Sequence, residues 1–133
     1  MFRSALYALC GAAMLAALPT AATAAPKATP EQKLEKILEG RVAGEPRNCI
    51  PLHMVNSSQI IDKTAIVYRS GSTIWVNRPA GGAASLNDSD TMVTKTVGSQ
   101  LCSIDTVQLV DASSRSWRGF VNLGEFVPYR RAD

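Results

Sequence analysis

Hydrophobic residues divide the chain into an apolar N-terminal segment and a longer region of short alternating segments. The N-terminal segment has one positive charge at Arg3, an apolar run over residues 5–18 and small residues at 22–24. This order predicts a secretory signal peptide over residues 1–24, cleaved after Ala24. The alternative is an uncleaved membrane anchor, which is disfavoured because a spanning helix needs about 20 apolar residues.

Residues 25–44 are predicted to form a tether that carries one short helix. Thr29 is a capping residue, Pro30 suits the first helical position and Gln32 completes a capping box. The helix is expected to run to about Glu39 and to stop at Gly40. Its apolar face either docks on the domain or leaves the helix fraying as a spacer, and we expect docking.

Residues 45–131 are predicted to form a β domain. The strongest signal is a hairpin of residues 64–69 and 72–78, which are rich in β-branched and aromatic residues and flank Ser70-Gly71. Further strands are predicted over residues 49–55, 91–97, 101–110 and 120–129, with a connection at 41–47 and a turn at 56–58. The predicted fold is mainly β, a small antiparallel barrel or sandwich of five to six strands with one short N-terminal helix.

Two features of this β domain have a structural and a functional interpretation. Trp75 lies on the opposite face of its strand from Ile74 and Val76, and we favour packing against the helix over ligand stacking. Residues 79–90 form a long loop without periodicity, predicted as a plain surface loop. Its glycines lack a Walker lysine, and Asp88 and Asp90 lack the other ligands of a calcium loop.

Charge and hydropathy exclude two classes of partner. Without Arg3 the exported chain has 13 Lys and Arg against 11 Asp and Glu, a net charge of +2. Nucleic-acid binding is not predicted, because it requires a concentrated basic face. The exported chain contains no second apolar stretch of membrane-spanning length. We therefore expect a periplasmic or secreted protein with no membrane span.

Cysteine usage predicts one disulfide. Cleavage removes Cys10 and leaves Cys49 and Cys102, an even pair in an oxidising compartment. Closing a loop of roughly 54 residues stabilises the fold by about 4 kcal/mol in the chain-entropy model. The alternative is a redox or nucleophilic cysteine, but neither thiol has a Cys-x-x-Cys spacing or a flanking basic cluster.

No catalytic, metal or cofactor motif is predicted, and two catalytic alternatives stay open. A Cys-His nucleophile would need His53, the only histidine, which shares a strand face with Cys49 if residues 49–55 are extended. Paired carboxylates of a glycosidase type could come from Asp62, Asp105, Asp111 and Glu125. The turns and strand ends around these residues favour a structural role for all of them.

The segment 111–119 carries the strongest binding signal, because Arg115 and Arg118 flank Trp117 in a predicted turn. This combination is typical of stacking and charge recognition, whereas the structural alternative folds the tryptophan back on the sheet. We predict a non-catalytic binding module for an envelope protein or polymer, acting through this turn or an exposed strand edge. The alternatives are a small periplasmic hydrolase and a structural envelope protein, and the oligomeric state stays open.

Five motifs in order resemble a family of small exported proteobacterial proteins classed as a domain of unknown function. The motifs are Arg47-Asn48-Cys49-Ile50, residues 65–69, residues 75–79, residues 98–105 and Leu123-Gly124-Glu125-Phe126, so the resemblance covers about residues 41–129. It implies an exported bacterial protein with no established activity or cofactor. Many members carry two more cysteines, after the equivalents of Asn77-Arg78 and before those of Leu123-Gly124. Both are missing here, which supports pairing of the remaining two.

Overall fold

The computed structural model describes residues 11–12, 14–19 and 26–132, so most of the predicted signal peptide lies outside the described residues. The mainly β, antiparallel fold with one helix is confirmed, but the β structure is divided into ten strands rather than five or six. The elements are α1 (Pro30–Ile37), β1 (Arg41–Ala43), β2 (Cys49–Pro51), β3 (Ser57–Ile61), β4 (Ala65–Ser70), β5 (Thr73–Asn77), β6 (Asp90–Thr94), β7 (Gln100–Cys102), β8 (Thr106–Asp111), β9 (Trp117–Asn122) and β10 (Phe126–Arg131).

The strands form three antiparallel sheets in a sandwich-like arrangement. The large sheet has the order β1-β10-β5-β4-β3, the second has the order β6-β8-β9, and β2 pairs with β7 alone. One core cluster joins all three sheets, with Tyr68 and Phe126 from the large sheet, Val107 and Leu109 from the second, and Ile50 from the small one. Within the described residues, no helix is long and apolar enough to cross a membrane.

The structure corrects several predicted strand boundaries. Residues 41–47 were predicted as a connection, yet Arg41–Ala43 form β1 along β10. Residues 56–58 were predicted as a turn, yet Ser57 begins β3. The predicted strand 101–110 is two strands, because Asp105 accepts a hydrogen bond from the Cys102 N–H at 2.7 Å and closes a turn between them. Pairing with distant strands decides β1 and β3, and local sequence carries little signal of that pairing.

The predicted hairpin is present, with its loop displaced by one residue. Ser70 pairs with Thr73, so the two-residue loop is Gly71-Ser72. Gly71 has a φ of +57°, which suits the first central position of a hairpin turn. Its N–H donates to Asn56 Oδ1 at 2.7 Å, and this bond links the loop to the start of β3.

Helix α1 docks on the face of the large sheet that points away from the second sheet. The predicted capping box is present, since the Thr29 N–H donates to Gln32 Oε1 at 2.9 Å and the Gln32 N–H donates to Thr29 Oγ1 at 3.2 Å. Leu34 is 1% exposed and packs in a cluster with residues such as Val67 and Val76. The expectation that the helix docks therefore agrees with the structure.

The Trp75 side chain lies on the face of the large sheet that is opposite to helix α1. It belongs to the core cluster between the sheets, whereas Ile74 and Val76 face α1. The expectation of burial was right, but the predicted partner was wrong. The second sheet, which local sequence does not reveal, covers this side of the hairpin.

The disulfide links Cys49 and Cys102, which are directly opposed in the β2–β7 pair. Ile50 and Leu101, next to the cysteines, are each 1% exposed. The predicted bridge thus joins the two strands of a small sheet, and Ile50 and Leu101 of that sheet pack in the main core.

The 79–90 segment is more firmly anchored than a plain surface loop. Leu86 is 2% exposed and belongs to the main core cluster. Gly81 forms a bridge with Asn122, so the segment lies along β9. Gly82 has a φ of +81°, and a Cβ there would lie 2.6 Å from the Phe120 carbonyl oxygen. Glycine is therefore needed for this close approach.

Candidate functional site

The structure separates the three residues predicted to bind a partner. Trp117 and Arg118 belong to strand β9 rather than to a turn, and only Arg115 lies in the turn before it. Arg115 has a φ of +58°, in the left-handed region that is uncommon for non-glycine residues. The three side chains therefore occupy three different local environments.

Trp117 lies on the solvent side of the second sheet. It pairs with Val110 on β8, and its side of the sheet is opposite to that of the core residues Val107, Leu109 and Val121, which are all 0% exposed. Trp117 itself is 63% exposed. The alternative in which the tryptophan folds back into a core does not agree with this exposure.

Phe120 shares this solvent side, and sequence alone did not identify it. It pairs with Gln108, which also pairs with Val93 on β6. Phe120 is 49% exposed and Val93 is 39% exposed. We call the solvent side of the β6-β8-β9 sheet the outer face; its residues are Thr91, Val93, Thr106, Gln108, Val110, Trp117, Phe120 and Asn122.

A register shift places both aromatic side chains on the outer face. Gly119 pairs with Leu109 and Trp117 pairs with the next residue, Val110, so Arg118 is an extra residue in β9. In a regular strand, residues 117 and 120 would point to opposite faces. The bulge therefore creates the aromatic pair, and an alternation pattern could not have predicted it.

Arg118 has a structural role in this bulge. Its Nε lies 3.5 Å from Asp90 Oδ1 and its Nη1 lies 3.4 Å from Asp111 Oδ2. Asp90 and Asp111 are directly opposed on β6 and β8, and like charges in such a pair repel. Arg118 compensates both carboxylates and ties the ends of all three strands together.

Asp111 closes the turn that precedes Trp117. Its Oδ1 accepts hydrogen bonds from the Ser113 hydroxyl at 2.6 Å, from the Ser113 N–H at 2.9 Å and from the Ser114 N–H at 2.8 Å. These bonds, the Ser113 hydroxyl first, hold the pKa of the Asp111 carboxyl well below its ordinary value of 3.8. The charged form of Asp111 is thus the form that the folded turn favours.

Asp111→Asn is expected to reduce stability at neutral pH and to reduce it less in acid. Because the folded-state pKa of Asp111 is lowered, its contribution is present above 3.8 and is lost as the pH falls below that value. Urea unfolding of both proteins at pH 6 and pH 3 should therefore show a smaller difference at pH 3. Glu125→Gln, at an exposed carboxylate, controls for the loss of one negative charge. A difference independent of pH would contradict the prediction.

The structure places the catalytic candidates in different strands and turns of the fold. His53 is exposed in the 3₁₀ turn Leu52–Met54, so the strand that was predicted to align it with Cys49 is absent there. Cys49 is in the disulfide and provides no thiol. Asp62 and Asp105 accept backbone N–H groups at 2.6 Å and 2.7 Å, which gives both a structural role. In the described part of the chain, no group of three His, Cys, Asp or Glu residues is arranged to hold a metal.

Comparison with protein-family models, with curated proteins and with solved structures found no match. The functional interpretation therefore depends on the geometry of the chain itself.

Proposed function

We propose that this protein is a non-catalytic binding module, exported to the periplasm or beyond, whose contact surface is the outer face. The observation that carries the proposal is the exposure of two aromatic side chains, Trp117 and Phe120, on one side of a three-stranded sheet. Exposed apolar patches on a folded domain mark interaction sites. Tryptophan is also among the residue types that dominate binding energy at interfaces.

The outer face favours a protein partner over a polysaccharide. Val93 and Val110 stand in the same rows as the aromatic residues, so the apolar surface extends across all three strands. Aliphatic side chains are stabilised by burial against apolar side chains of another protein, and a hydroxylated polymer offers less apolar surface for that burial. Thr91, Thr106, Gln108 and Asn122 supply the polar groups of this side of the sheet.

The sheet beneath the outer face is held in one geometry before binding. Arg118 pairs with Asp90 and Asp111 at one end, and Gly82 packs against the backbone of Phe120 from the side. A preorganised surface loses less conformational entropy on association than a mobile loop does. This rigidity supports a recognition role for the exposed aromatic residues.

Export is part of the same proposal. The signal-like N-terminal segment predicts it, and the Cys49–Cys102 disulfide is consistent with an oxidising compartment. The resemblance to small exported bacterial proteins also supports it.

The test of this proposal is in-cell cross-linking of the exported protein, followed by mass spectrometry of the material that co-purifies. We expect one stoichiometric protein partner that is lost with Trp117→Ala. Truncation of an aromatic hot spot costs about 2 kcal/mol or more, which weakens binding by roughly 30-fold or more. Met54→Ala is the matched control, because Met54 is 54% exposed but lies outside the outer face.

Circular dichroism and retention of the disulfide establish that the Trp117→Ala variant folds. Equal capture by both variants would reject the outer face as the contact surface. Recovery of a polysaccharide in place of a protein would assign the face to an envelope polymer. A clean monomer in every preparation would reject the binding-module proposal.

A further inference from the structure

A groove separates the large sheet from the second sheet along one side of the molecule. It has a volume of about 530 Å³. We call it the β3–β6 groove, and the residues that line it are Ser58, Gln59, Ile60, Asp88, Asp90, Thr91 and Met92. Its size lies in the range of about 300–1,000 Å³ that is common for ligand sites.

Both walls of the groove are strands at the edge of a sheet. β3 is the last strand of the large sheet and pairs only with β4, while β6 is the last strand of the second sheet and pairs only with β8. A strand paired on one side leaves backbone N–H and C=O groups unpaired on the other. Among the described strands, both walls therefore have backbone donors and acceptors that are not paired within a sheet, although the Asp90 N–H already donates to the Asn87 carbonyl oxygen at 3.0 Å.

The groove is closed at one end and has a fixed floor. The Asp88 N–H donates to Asp62 Oδ1 at 2.6 Å, and the Lys63 N–H donates to the Leu86 carbonyl oxygen at 3.1 Å. Ile60 belongs to the core cluster between the sheets, and Met92 packs against that cluster. The two edges are thus held apart by the fold and do not depend on a ligand for their positions.

Asp90, which is one of the residues that line the groove, has a side-chain acceptor without a donor. Its side chain is 1% exposed and Oδ1 faces Arg118, whereas Oδ2 is buried and has no hydrogen-bond partner among the described residues. A buried carboxylate oxygen without a donor destabilises the folded protein, because it has lost its hydrogen bonds to water and has not replaced them. Asp88 adds a second carboxylate to the same groove. A cationic donor from a ligand would provide the missing hydrogen bond to Asp90 and would balance the negative charge of the groove.

We propose that the β3–β6 groove binds an extended peptide by β-strand addition, with one Lys or Arg side chain of the peptide donating to Asp90 Oδ2. Main-chain hydrogen bonds to a sheet edge provide affinity in this mode of recognition, and side-chain subsites provide specificity. The edges of β3 and β6 supply the main-chain hydrogen bonds, and Asp90 supplies a side-chain subsite. A peptide backbone has alternating donors and acceptors that match those of the strand edges. A free cation has no such groups and would leave the strand edges without partners.

This site shares only Thr91 with the outer face and adds to the proposed function. Asp90 faces Arg118 and the buried side of the sheet, whereas Trp117 and Phe120 are on the solvent side. Substitutions can therefore distinguish the two surfaces.

The experiment is a selection of random seven-residue peptides, displayed on phage, against the purified exported protein with its disulfide intact. We expect enriched sequences with a Lys or Arg at one fixed position and β-branched residues at alternate positions. A synthetic peptide from this set should bind Asp90→Asn at least tenfold more weakly than it binds the wild-type protein. Replacing its basic residue with norleucine should have the same effect, and the two changes together should add little further loss.

Two further variants test the groove without a substitution at the buried Asp90, which could itself disturb folding. Ser58 is exposed and lines the groove, so Ser58→Trp should fill the groove and abolish binding without a buried substitution. Glu125→Gln, an exposed carboxylate outside the groove, should leave binding unchanged. The proposal is overturned if no common sequence is enriched, if the enriched peptides lack a basic residue, or if Ser58→Trp binds them normally. Peptides that are lost with Trp117→Ala but retained with Ser58→Trp belong to the outer face and also overturn it.

Discussion

Replacing Cys49 and Cys102 together with serine is expected to lower the free energy of unfolding by about 4 kcal/mol. The bridge closes a loop with a sequence separation of 53 residues, so its removal releases a large part of the unfolded chain. Small domains have a total stability of about 5–15 kcal/mol, so this loss is a large fraction of the whole. The variant should be close to unfolding at physiological temperature.

The local structure explains why other contacts do not replace the bridge. Strands β2 and β7 each contribute three residues to an isolated two-stranded sheet. A two-stranded sheet of this size is marginal on its own. Ile50 and Leu101 depend on it for their burial, so its loss exposes part of the main core.

Urea unfolding followed by tryptophan fluorescence measures this effect. Wild-type protein with its disulfide reduced is the matched control and should unfold at the same urea concentration as the double serine variant. A loss below about 1 kcal/mol would show that the hydrophobic contacts of Ile50 and Leu101 hold this sheet without the bridge. A difference between the reduced protein and the variant would assign part of the loss to the serine side chains.

Local sequence signals predicted the elements that local interactions determine. Thr29 and Gln32 cap the helix through bonds within four residues, and the β4–β5 hairpin is joined by a two-residue loop at Gly71. Such short-range signals are present in the sequence itself. The disulfide was equally predictable from the sequence, because the predicted signal cleavage would leave only one pair of cysteines.

Elements fixed by distant partners could not be predicted in this way. β1 has exposed or half-buried side chains, and only pairing with β10 near the end of the chain makes it a strand. β3 begins with three exposed residues and gains its pattern from pairing with β4. Tertiary pairing overrides weak local preference in both cases.

The candidate site shows the same division. The sequence pointed to Trp117 because two flanking arginines suit recognition by stacking and charge. It grouped Arg118 with Trp117, although Arg118 pairs with Asp90 and Asp111. Phe120 joins the surface only through the bulge at Arg118. The β3–β6 groove depends on two edges that are distant in sequence, and no local pattern around Asp90 indicates it.

The second large effect is expected for Asn77→Leu, which should lower the free energy of unfolding by about 3 kcal/mol. Asn77 is the one buried polar residue among the described core positions, at 0% exposure. Its Nδ2 donates to the Gly124 carbonyl oxygen at 2.8 Å, and its Oδ1 accepts from the Gly124 N–H at 2.9 Å. Leucine has a similar volume but leaves both backbone groups of Gly124 without a partner, and each such group costs about 1–3 kcal/mol.

The turn between β9 and β10 has little freedom to replace these bonds. A Cβ at Gly124 would collide with the Arg78 carbonyl oxygen, so the backbones of residues 78 and 124 are already in close approach. Leu123 and Phe126, on either side of the turn, are 2% and 0% exposed and fix its ends in the core. The amide of Asn77 is therefore the local group that matches both polar atoms of Gly124.

Urea unfolding of Asn77→Leu and of Asn122→Leu tests this account with the same chemical change at a buried and at an exposed site. Asn122 is exposed on β9 and its Oδ1 accepts from the Thr106 hydroxyl at 3.2 Å, so its replacement should change stability by less than about 1 kcal/mol. Equal losses in the two variants would show that packing of Leu123 and Phe126 alone fixes the turn. A large loss only for Asn77→Leu would establish that one buried side-chain amide joins the end of β5 to the β9–β10 turn.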